Sequence, residues 1–166
     1  MSIKQNMDKR DPFSPNNIRD AVFLESPNCV VAYNLFPILP GHSLVIPKRS
    51  YSNIFEMPQD QFIEFMNLAK EATRLLCDAF GARDFNWTLQ IGSAAGQTIE
   101  HLHMHLIPRS EGDLPHPGDW YPRLRAIELG IIDSPERPRL KPDEMQQIVL
   151  HLREIARDER GRRDAG

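Results

Sequence analysis

Cysteine is scarce in this sequence: there are two in 166 residues, and Cys29 and Cys77 stand far apart in no C-x-x-C pattern. This spacing fits neither a disulfide framework nor a cysteine-rich zinc site. A single globular domain of this length can bury a sizeable core without such staples. Two reduced thiols are typical of intracellular proteins, so we expect the protein in the cytoplasm.

Long hydrophobic runs and an excess of charge of one sign are also missing. No stretch approaches the roughly 18 apolar residues of a membrane-spanning helix, and residues 1–17 lack the apolar segment of a secretory signal. The net charge of −3 and the pI near 6.1 give no electrostatic reason to bind nucleic acid or a membrane surface. We therefore expect neither kind of partner.

Hydrophobic periodicity predicts an α+β fold, in which an antiparallel sheet of about five strands packs against helices. The polar, proline-containing residues 1–17 predict a loosely held N-terminal arm. The proline-rich stretches after residue 113 lack a sustained period and predict surface loops. Strands are predicted at 21–25, 28–36, 42–47, 85–92 and 101–107, one long helix at 59–80 and a C-terminal helix at 143–160.

The last predicted strand, HLHMHLI, carries histidines at every second position. Side chains of a strand alternate between its two faces, so His101, His103 and His105 share one face and the aliphatic residues between them share the other. A slip of one residue would exchange the two sets, so the register is strongly determined. The pattern predicts a row of imidazoles on a rigid element. A half-exposed edge strand would explain one histidine more readily than three.

Such a row of imidazoles can bind a metal ion or an anion. A structural zinc site needs four ligands, and there is neither a cysteine cluster nor an H-E-x-x-H motif, with His42 the only other histidine on a predicted strand. The sequence therefore assigns no residue to a metal.

The residues just before the row favour an anion, phosphate above all. The stretch GSAAGQT, 92–98, consists of small residues whose backbone N–H groups can approach phosphate oxygens closely. Gly92 and Gly96 permit the backbone angles that this requires, and Gln97 and Thr98 add side-chain donors. Neutral imidazole can attack phosphorus to give a phosphoramidate that water then cleaves. The combination predicts an anion site with its own nucleophile.

These stretches resemble a known family. HLHMHLI resembles the His-φ-His-φ-His-φφ signature of the histidine-triad (HIT) superfamily of nucleotide hydrolases and transferases. VVAYNLFPILPGHSLVIPKR, 30–49, resembles that family's paired strands, and LQIGSAAGQTIEHLHMHLIPRSEGD, 89–113, resembles the fragile-histidine-triad branch of dinucleoside polyphosphate hydrolases. The resemblance covers about residues 21–113. It implies a HIT-like catalytic domain over 18–113, with 114–166 as loops and a C-terminal helix of the same domain.

The resemblance also implies a role for each matched residue. His103 would attack the α-phosphorus, His101 would orient it through a backbone contact, and His105 would contact the α-phosphate and the leaving side. Seven further residues would bind substrate: Asn34, at the ribose hydroxyls, Gln90, near the nucleotide, His42, as a fourth histidine, and the phosphate-contacting loop Gly96, Gln97, Thr98 and Ile99.

Three of these residues also have simpler explanations. Asn34 alone is typical of a turn, His42 of a buried polar contact, and Gln90 of a strand position that faces solvent.

We therefore expect a nucleotide hydrolase that cleaves a dinucleoside polyphosphate, such as diadenosine tri- or tetraphosphate, at the α-phosphate through a covalent nucleotidyl-histidine. The resemblance implies a homodimer. We expect no tightly bound cofactor, since the sequence shows no protein site for a divalent ion, and Mg²⁺ or Mn²⁺ would be carried with the substrate's phosphates.

Three other functions compete with this one. A nucleoside phosphoramidase of the same superfamily is less favoured by IPRSEGD, 107–113, although GDWYP, 118–122, faintly resembles that branch. Nucleotidyl transfer is disfavoured because the uridylyltransferases carry glutamine at the position of His105. A non-catalytic nucleotide-binding scaffold stays open.

Overall fold

A computed structural model describes residues 11–128 and 139–164. Five strands are present in these ranges: β1 Val22–Glu25, β2 Cys29–Tyr33, β3 Ser43–Pro47, β4 Asp84–Thr88 and β5 Met104–Arg109. The α-helices described are α1 Pro15–Ile18, α2 Gln59–Phe80, α3 Trp120–Glu128 and α4 Pro142–Asp164. The predicted α+β class, with one long helix and a C-terminal helix, is confirmed.

The strands form one antiparallel sheet in the order β1-β2-β3-β5-β4. On one face, Trp87 of β4 lies opposite Leu106 of β5, and the indole Nε1–H of Trp87 donates to Thr73 of α2 at 2.8 Å. Helix α2 therefore covers this face. On the other face, Leu44 of β3 lies opposite His105 of β5. The sheet thus separates a helix-packed core from the side that carries the histidine.

The strand of histidines is shorter at its start than predicted. β5 begins at Met104, so His101 and His103 precede it, because β3 pairs no further along β5 than Val45 opposite Met104. The preceding residues take other partners, and the backbone N–H of Leu102 donates to the carbonyl of Tyr51 at 2.7 Å. The prediction of a strand over 101–107 is wrong for its first three residues.

Other predicted boundaries also differ from the structure. β2 is predicted over 28–36 but ends at Tyr33, and the C-terminal helix extends beyond the predicted 143–160. β4 ends at Thr88, whose partner is His105, so the predicted strand 85–92 is wrong for residues 89–92. Helix α3, 120–128, lies within a stretch predicted to be surface loop. Its Leu124 is buried with Ile38 and Ile107, so tertiary packing stabilises a helix that the sequence pattern does not reveal. Over the described parts of the chain, no helix is long and apolar enough to cross a membrane.

The turn between β2 and β3 requires glycine at position 41. Gly41 has a φ of +88°, and a Cβ there would lie 2.8 Å from Cγ of Pro108 and 2.9 Å from Cδ2 of Phe80. Both neighbours are rigid rings and cannot move aside cheaply. The N–H of Gly41 donates to the Tyr33 hydroxyl at 2.9 Å. This close approach sets the position of the next residue, His42.

We expect Gly41→Ala to lower the free energy of unfolding by about 2–5 kcal/mol, because backbone strain and overpacking both act there. Gly81→Ala is the matched control, since Gly81 has a φ of +66° but open space within 4 Å of its Cβ position. It should cost only about 1–2 kcal/mol. Urea unfolding measures both changes, and equal losses in the two variants would contradict the packing argument.

Candidate active site

The three histidines lie at the start of β5, on the sheet face opposite α2. All three are buried, with 5–7% of their surface exposed. His103 and His105 line a cavity of about 860 Å³, a size that suits a nucleotide-sized ligand. Its lining includes, from the predicted site, Asn34, Thr98 and Ile99, and from the rest of the chain Phe13, Ala32, Leu44, Ile46, Met145 and Val149.

The imidazole of His103 is oriented by a backbone carbonyl. Its Nδ1 lies 2.9 Å from the carbonyl oxygen of His101, and a carbonyl can only accept, so Nδ1 carries the hydrogen. In the neutral ring, Nε2 then holds the lone pair. Burial lowers the pKa of His103 below its ordinary value of 6.5, which favours this neutral form. The arrangement favours an uncharged ring whose lone pair is on Nε2.

His105 is set in the opposite tautomer by His42. The backbone N–H of Ile38 donates to Nδ1 of His42 at 3.1 Å, so the hydrogen of the neutral His42 ring is on Nε2. That Nε2 lies 3.0 Å from Nδ1 of His105 and donates to it. Nε2 of His105 therefore carries a hydrogen and is a donor. The predicted fourth histidine contacts the triad in this way.

Asn34 lies beside this pair of rings. Its Oδ1 accepts from the backbone N–H of Phe36 at 2.9 Å, which orients the amide and leaves Nδ2 3.4 Å from Nε2 of His42. Both of these nitrogens carry hydrogens, so the second approach is a contact and not a hydrogen bond. The amide N–H₂ of Asn34 is thereby held at the cavity wall.

His101 differs from the other two histidines because acceptors flank both of its nitrogens. Nδ1 lies 2.6 Å from Oδ2 of Asp11, and Nε2 lies 2.7 Å from the carbonyl oxygen of Pro47 at the end of β3. The ring is thus held between the N-terminal segment and the sheet.

Residues 11–17 are packed on the site, whereas the sequence predicts a loosely held arm over 1–17; residues 1–10 lie outside the described residues. The ring of Phe13 lies 4.7 Å from that of His103 and 5.8 Å from that of His101, measured between centroids. Sequence reasoning missed Asp11 and Phe13 as site residues. A single aromatic residue within a polar stretch is the one signal that points to them.

In the loop at 92–98, the Gln97 side chain forms hydrogen bonds to backbone groups of the protein. Oε1 of Gln97 accepts from the N–H of Gly92 at 2.7 Å, and its Nε2 donates to the carbonyls of Ser52 and Glu100 at 3.3 and 3.2 Å. The Gln97 side chain therefore closes the loop, and its predicted contact with phosphate stays a prediction. Gly96 ends a 3-10 turn with a φ of +89°. Of the predicted phosphate loop, Thr98 and Ile99 line the cavity.

Gln90 is buried rather than facing solvent. Its Nε2 donates to Oγ1 of Thr88 at 3.2 Å, while its Oε1 has no hydrogen-bond partner among the described residues. A buried carbonyl without a partner is uncommon and is a candidate contact for a ligand hydroxyl. The described residues contain no group of three or more His, Cys, Asp or Glu side chains that could hold a metal ion.

Comparison with known proteins assigns the family. The HIT domain matches residues 16–112, more than half of the chain. The chain is 28% identical over 144 residues to a bis(5'-adenosyl)-triphosphatase of Dictyostelium discoideum, a match covering 86% of this chain and 91% of that protein. It is 33% identical over 122 residues to an asymmetrical bis(5'-nucleosyl)-tetraphosphatase of Schizosaccharomyces pombe, covering 74% and 67%.

Solved structures agree with this assignment. A hypothetical histidine triad nucleotide-binding protein from Sulfolobus tokodaii is similar with a TM-score of 0.66 and 27% identity, over 83% of this chain and 84% of that one. A HIT-like protein from Bartonella henselae shares the fold, with a TM-score of 0.66 and 20% identity over 92% and 94%. The resemblance carried by HLHMHLI is confirmed, and the chain belongs to the HIT domain family.

Proposed function

We propose that the protein hydrolyses dinucleoside polyphosphates, with Nε2 of His103 as the nucleophile at the α-phosphorus. One observation carries the proposal: a buried imidazole at a nucleotide-sized cavity has its Nδ1–H held by the carbonyl of His101, which leaves the lone pair on Nε2. The names of the two aligned relatives, a diadenosine triphosphatase and a dinucleoside tetraphosphatase, support this substrate class.

The reaction proceeds in two displacements. In the first, Nε2 of His103 forms a bond to the α-phosphorus as the bond from that phosphorus to its bridging oxygen breaks, and the remaining nucleoside polyphosphate departs with that oxygen. In the second, water attacks the same phosphorus, the P–N bond breaks, and a nucleoside monophosphate is released. Positive charge develops on the ring of His103 in the first step, and the carbonyl of His101 that accepts from Nδ1–H stabilises it.

The donors near His103 suit the negative charge that gathers on phosphate oxygens. His42 keeps a hydrogen on Nε2 of His105, so this ring acts as a donor at the α-phosphate or the leaving oxygen. Preset donors need no reorganisation as charge develops. The amide of Asn34 and Oε1 of Gln90 would contact the ribose hydroxyls and the nucleotide, as the family resemblance implies.

The cavity wall suits a nucleoside. Its apolar lining from the sheet, Ala32, Leu44 and Ile46, faces Met145 and Val149 of α4. Burial of a base against such surface is favourable by about 25 cal/mol per Å².

Two further points belong to the proposal. Mg²⁺ or Mn²⁺ arrives with the substrate's phosphates. The reaction takes place in the cytoplasm, where the two free cysteines stay reduced.

We also propose that two copies associate along β4. This strand forms one edge of the sheet and pairs only with β5 in the described structure, so its outer row of backbone groups can pair with a second copy. Phe85, half exposed at 50%, adds an apolar side chain there, and its ring lies 5.6 Å from that of Trp87.

His103→Ala should lower kcat for diadenosine triphosphate by roughly 10⁴-fold or more, because the nucleophile is removed. Chromatography of the nucleotide products measures the rate. Wild-type protein quenched during turnover should carry an acid-labile nucleotidyl label that the variant lacks. His151→Ala, an exposed histidine on α4, is the control and should keep full activity. A variant at position 103 that still turns over the substrate would exclude the mechanism.

A substrate panel separates this activity from its rivals. Dinucleoside polyphosphates should be cleaved faster than nucleoside phosphoramidates. The opposite order would identify a phosphoramidase, and binding without turnover of any member would identify a scaffold.

The acidic limb of the pH profile should lie below pH 6.5. The nucleophile must be neutral, and burial lowers the pKa of His103, so its neutral form persists to a lower pH than that of an ordinary imidazole. The pH dependence of kcat/KM reports this group in the enzyme without substrate. An acidic limb centred above 6.5 would contradict the environment described for His103.

Phe85→Lys should shift the protein from dimer to monomer, because a charge on the β4 edge opposes pairing of two copies. Sedimentation velocity at several concentrations measures the change. Ile63→Lys, at a residue of α2 exposed to a similar extent (51%), is the control and should remain dimeric. Wild-type protein that sediments as a monomer would refute the association.

A further inference from the structure

His101 is held by two acceptors, one at each ring nitrogen, and we call this arrangement the clamp. Both ring nitrogens lie within hydrogen-bond distance of groups that only accept: the Asp11 carboxylate, at 2.6 Å, and the Pro47 carbonyl, at 2.7 Å. A neutral imidazole has one N–H and would satisfy one of them. The ring is buried, with 4% of its side chain exposed, so water cannot substitute for the missing hydrogen. Two donors on this ring satisfy every partner.

We propose that Asp11 is a positioning residue, which holds His101 as a doubly protonated imidazolium and thereby fixes the carbonyl that orients His103. The first half of this proposal stands on the hydrogen bonds alone. The second half rests on the proposed function, since it concerns the nucleophile.

The clamp matters because His101 lies before β5 begins. Its carbonyl is therefore not fixed by the strand pairing that holds residues from Met104 onward. The ring of His101 instead ties this point of the chain to Pro47 at the end of β3 and to Asp11. The carbonyl oxygen of the same residue lies 2.9 Å from Nδ1 of His103. The N–H of Leu102, in the same peptide group as this carbonyl, also donates to the carbonyl of Tyr51 at 2.7 Å. The two side-chain hydrogen bonds of His101 thus add to one backbone hydrogen bond where strand pairing is missing.

The second carboxylate oxygen of Asp11 positions Phe13, whose ring lies beside that of His103. Oδ1 of Asp11 accepts from the backbone N–H of Phe13 at 2.9 Å. Phe13 contacts the rings of both His101 and His103. One carboxylate therefore orients the histidine that supplies the carbonyl and the aromatic ring that excludes water from His103.

The two charges of the clamp act on the pKa of His103 in opposite directions. The positive charge of His101 lowers the pKa of His103, whereas the negative charge of Asp11 raises it, so the two oppose each other at the nucleophile. The hydrogen bonds of this pair also fix the orientation of the His103 ring through the carbonyl of His101. A displacement of about 1 Å at a reacting group can cost roughly 10²-fold in rate.

Two substitutions test the proposal. Asp11→Asn keeps an oxygen for the N–H of Phe13 but places an amide N–H₂ against His101, which then satisfies its partners as a neutral ring with its hydrogen on Nε2. Asp11→Ala removes both contacts. Asp158→Asn is the control, since Asp158 is an exposed acid on α4.

Long-range ¹H–¹⁵N spectra of the histidine side chains give a readout that does not depend on activity. In wild-type protein at pH 7 we expect hydrogens on both ring nitrogens of His101 and on Nδ1 of His103. In Asp11→Asn, His101 should carry one hydrogen, on Nε2. With diadenosine triphosphate, Asp11→Ala should lower kcat by roughly 10- to 100-fold with KM changed less than about twofold, while Asp158→Asn matches wild type.

Either of two results would overturn the inference. One is a single ring hydrogen on His101 of the wild-type protein. The other is an Asp11→Ala variant that keeps kcat and the His103 tautomer unchanged, or that raises KM alone. If wild-type protein cleaves no dinucleotide, the proposed function fails while the spectra still decide the state of His101. The two failures are therefore distinguishable.

Discussion

A single hydrogen bond, from Nδ1–H of His103 to the carbonyl of His101, determines what this site can do. A free imidazole exchanges its hydrogen between the two nitrogens, so its lone pair has no fixed direction. In His103, Nδ1–H donates to the backbone carbonyl of His101, so the lone pair of the neutral ring is on Nε2. The contacts of Asp11, Phe13 and Pro47 lie at the two residues that this bond joins. Burial contributes as well, because it favours the uncharged ring that a nucleophile needs.

The three histidines look equivalent in the sequence, yet their surroundings give them three different hydrogen patterns. His103 meets one carbonyl and keeps a lone pair on Nε2. His105 accepts from His42 and carries its hydrogen on Nε2. His101 meets an acceptor at each nitrogen. Residues of the same type in one row thus acquire different hydrogen-bonding properties: a lone pair on Nε2, a hydrogen on Nε2, and an acceptor beside each nitrogen. The difference arises because each ring has a different hydrogen-bond partner. All three rings are buried, so water does not replace these partners.

Features that depend on local periodicity could be predicted from the sequence. The long helix ending at Gly81, the five strands and the row of histidines all follow from residue spacing and turn signals. Features that depend on distant partners could not. Asp11 bonds to His101 across 90 positions, and His101 bonds to Pro47 across 54. The true start of β5 belongs to this second group, because it is set by where β3 ceases to pair.

The site combines residues from inside and outside the part of the chain that the HIT family model matches. The three histidines lie within the matched residues 16–112, whereas Asp11 and Phe13 precede that range. Met145 and Val149 of α4, which line the cavity, follow it. The histidines therefore come from the shared part of the chain, and part of the enclosure comes from its flanks. Under the proposed function, the enclosure governs which base is accepted and how well water is excluded, while the proposed nucleophile stays the same. Members of one family can thus keep the same three histidines and still differ in substrate, because the contacts that select the ligand lie outside the motif that defines the family.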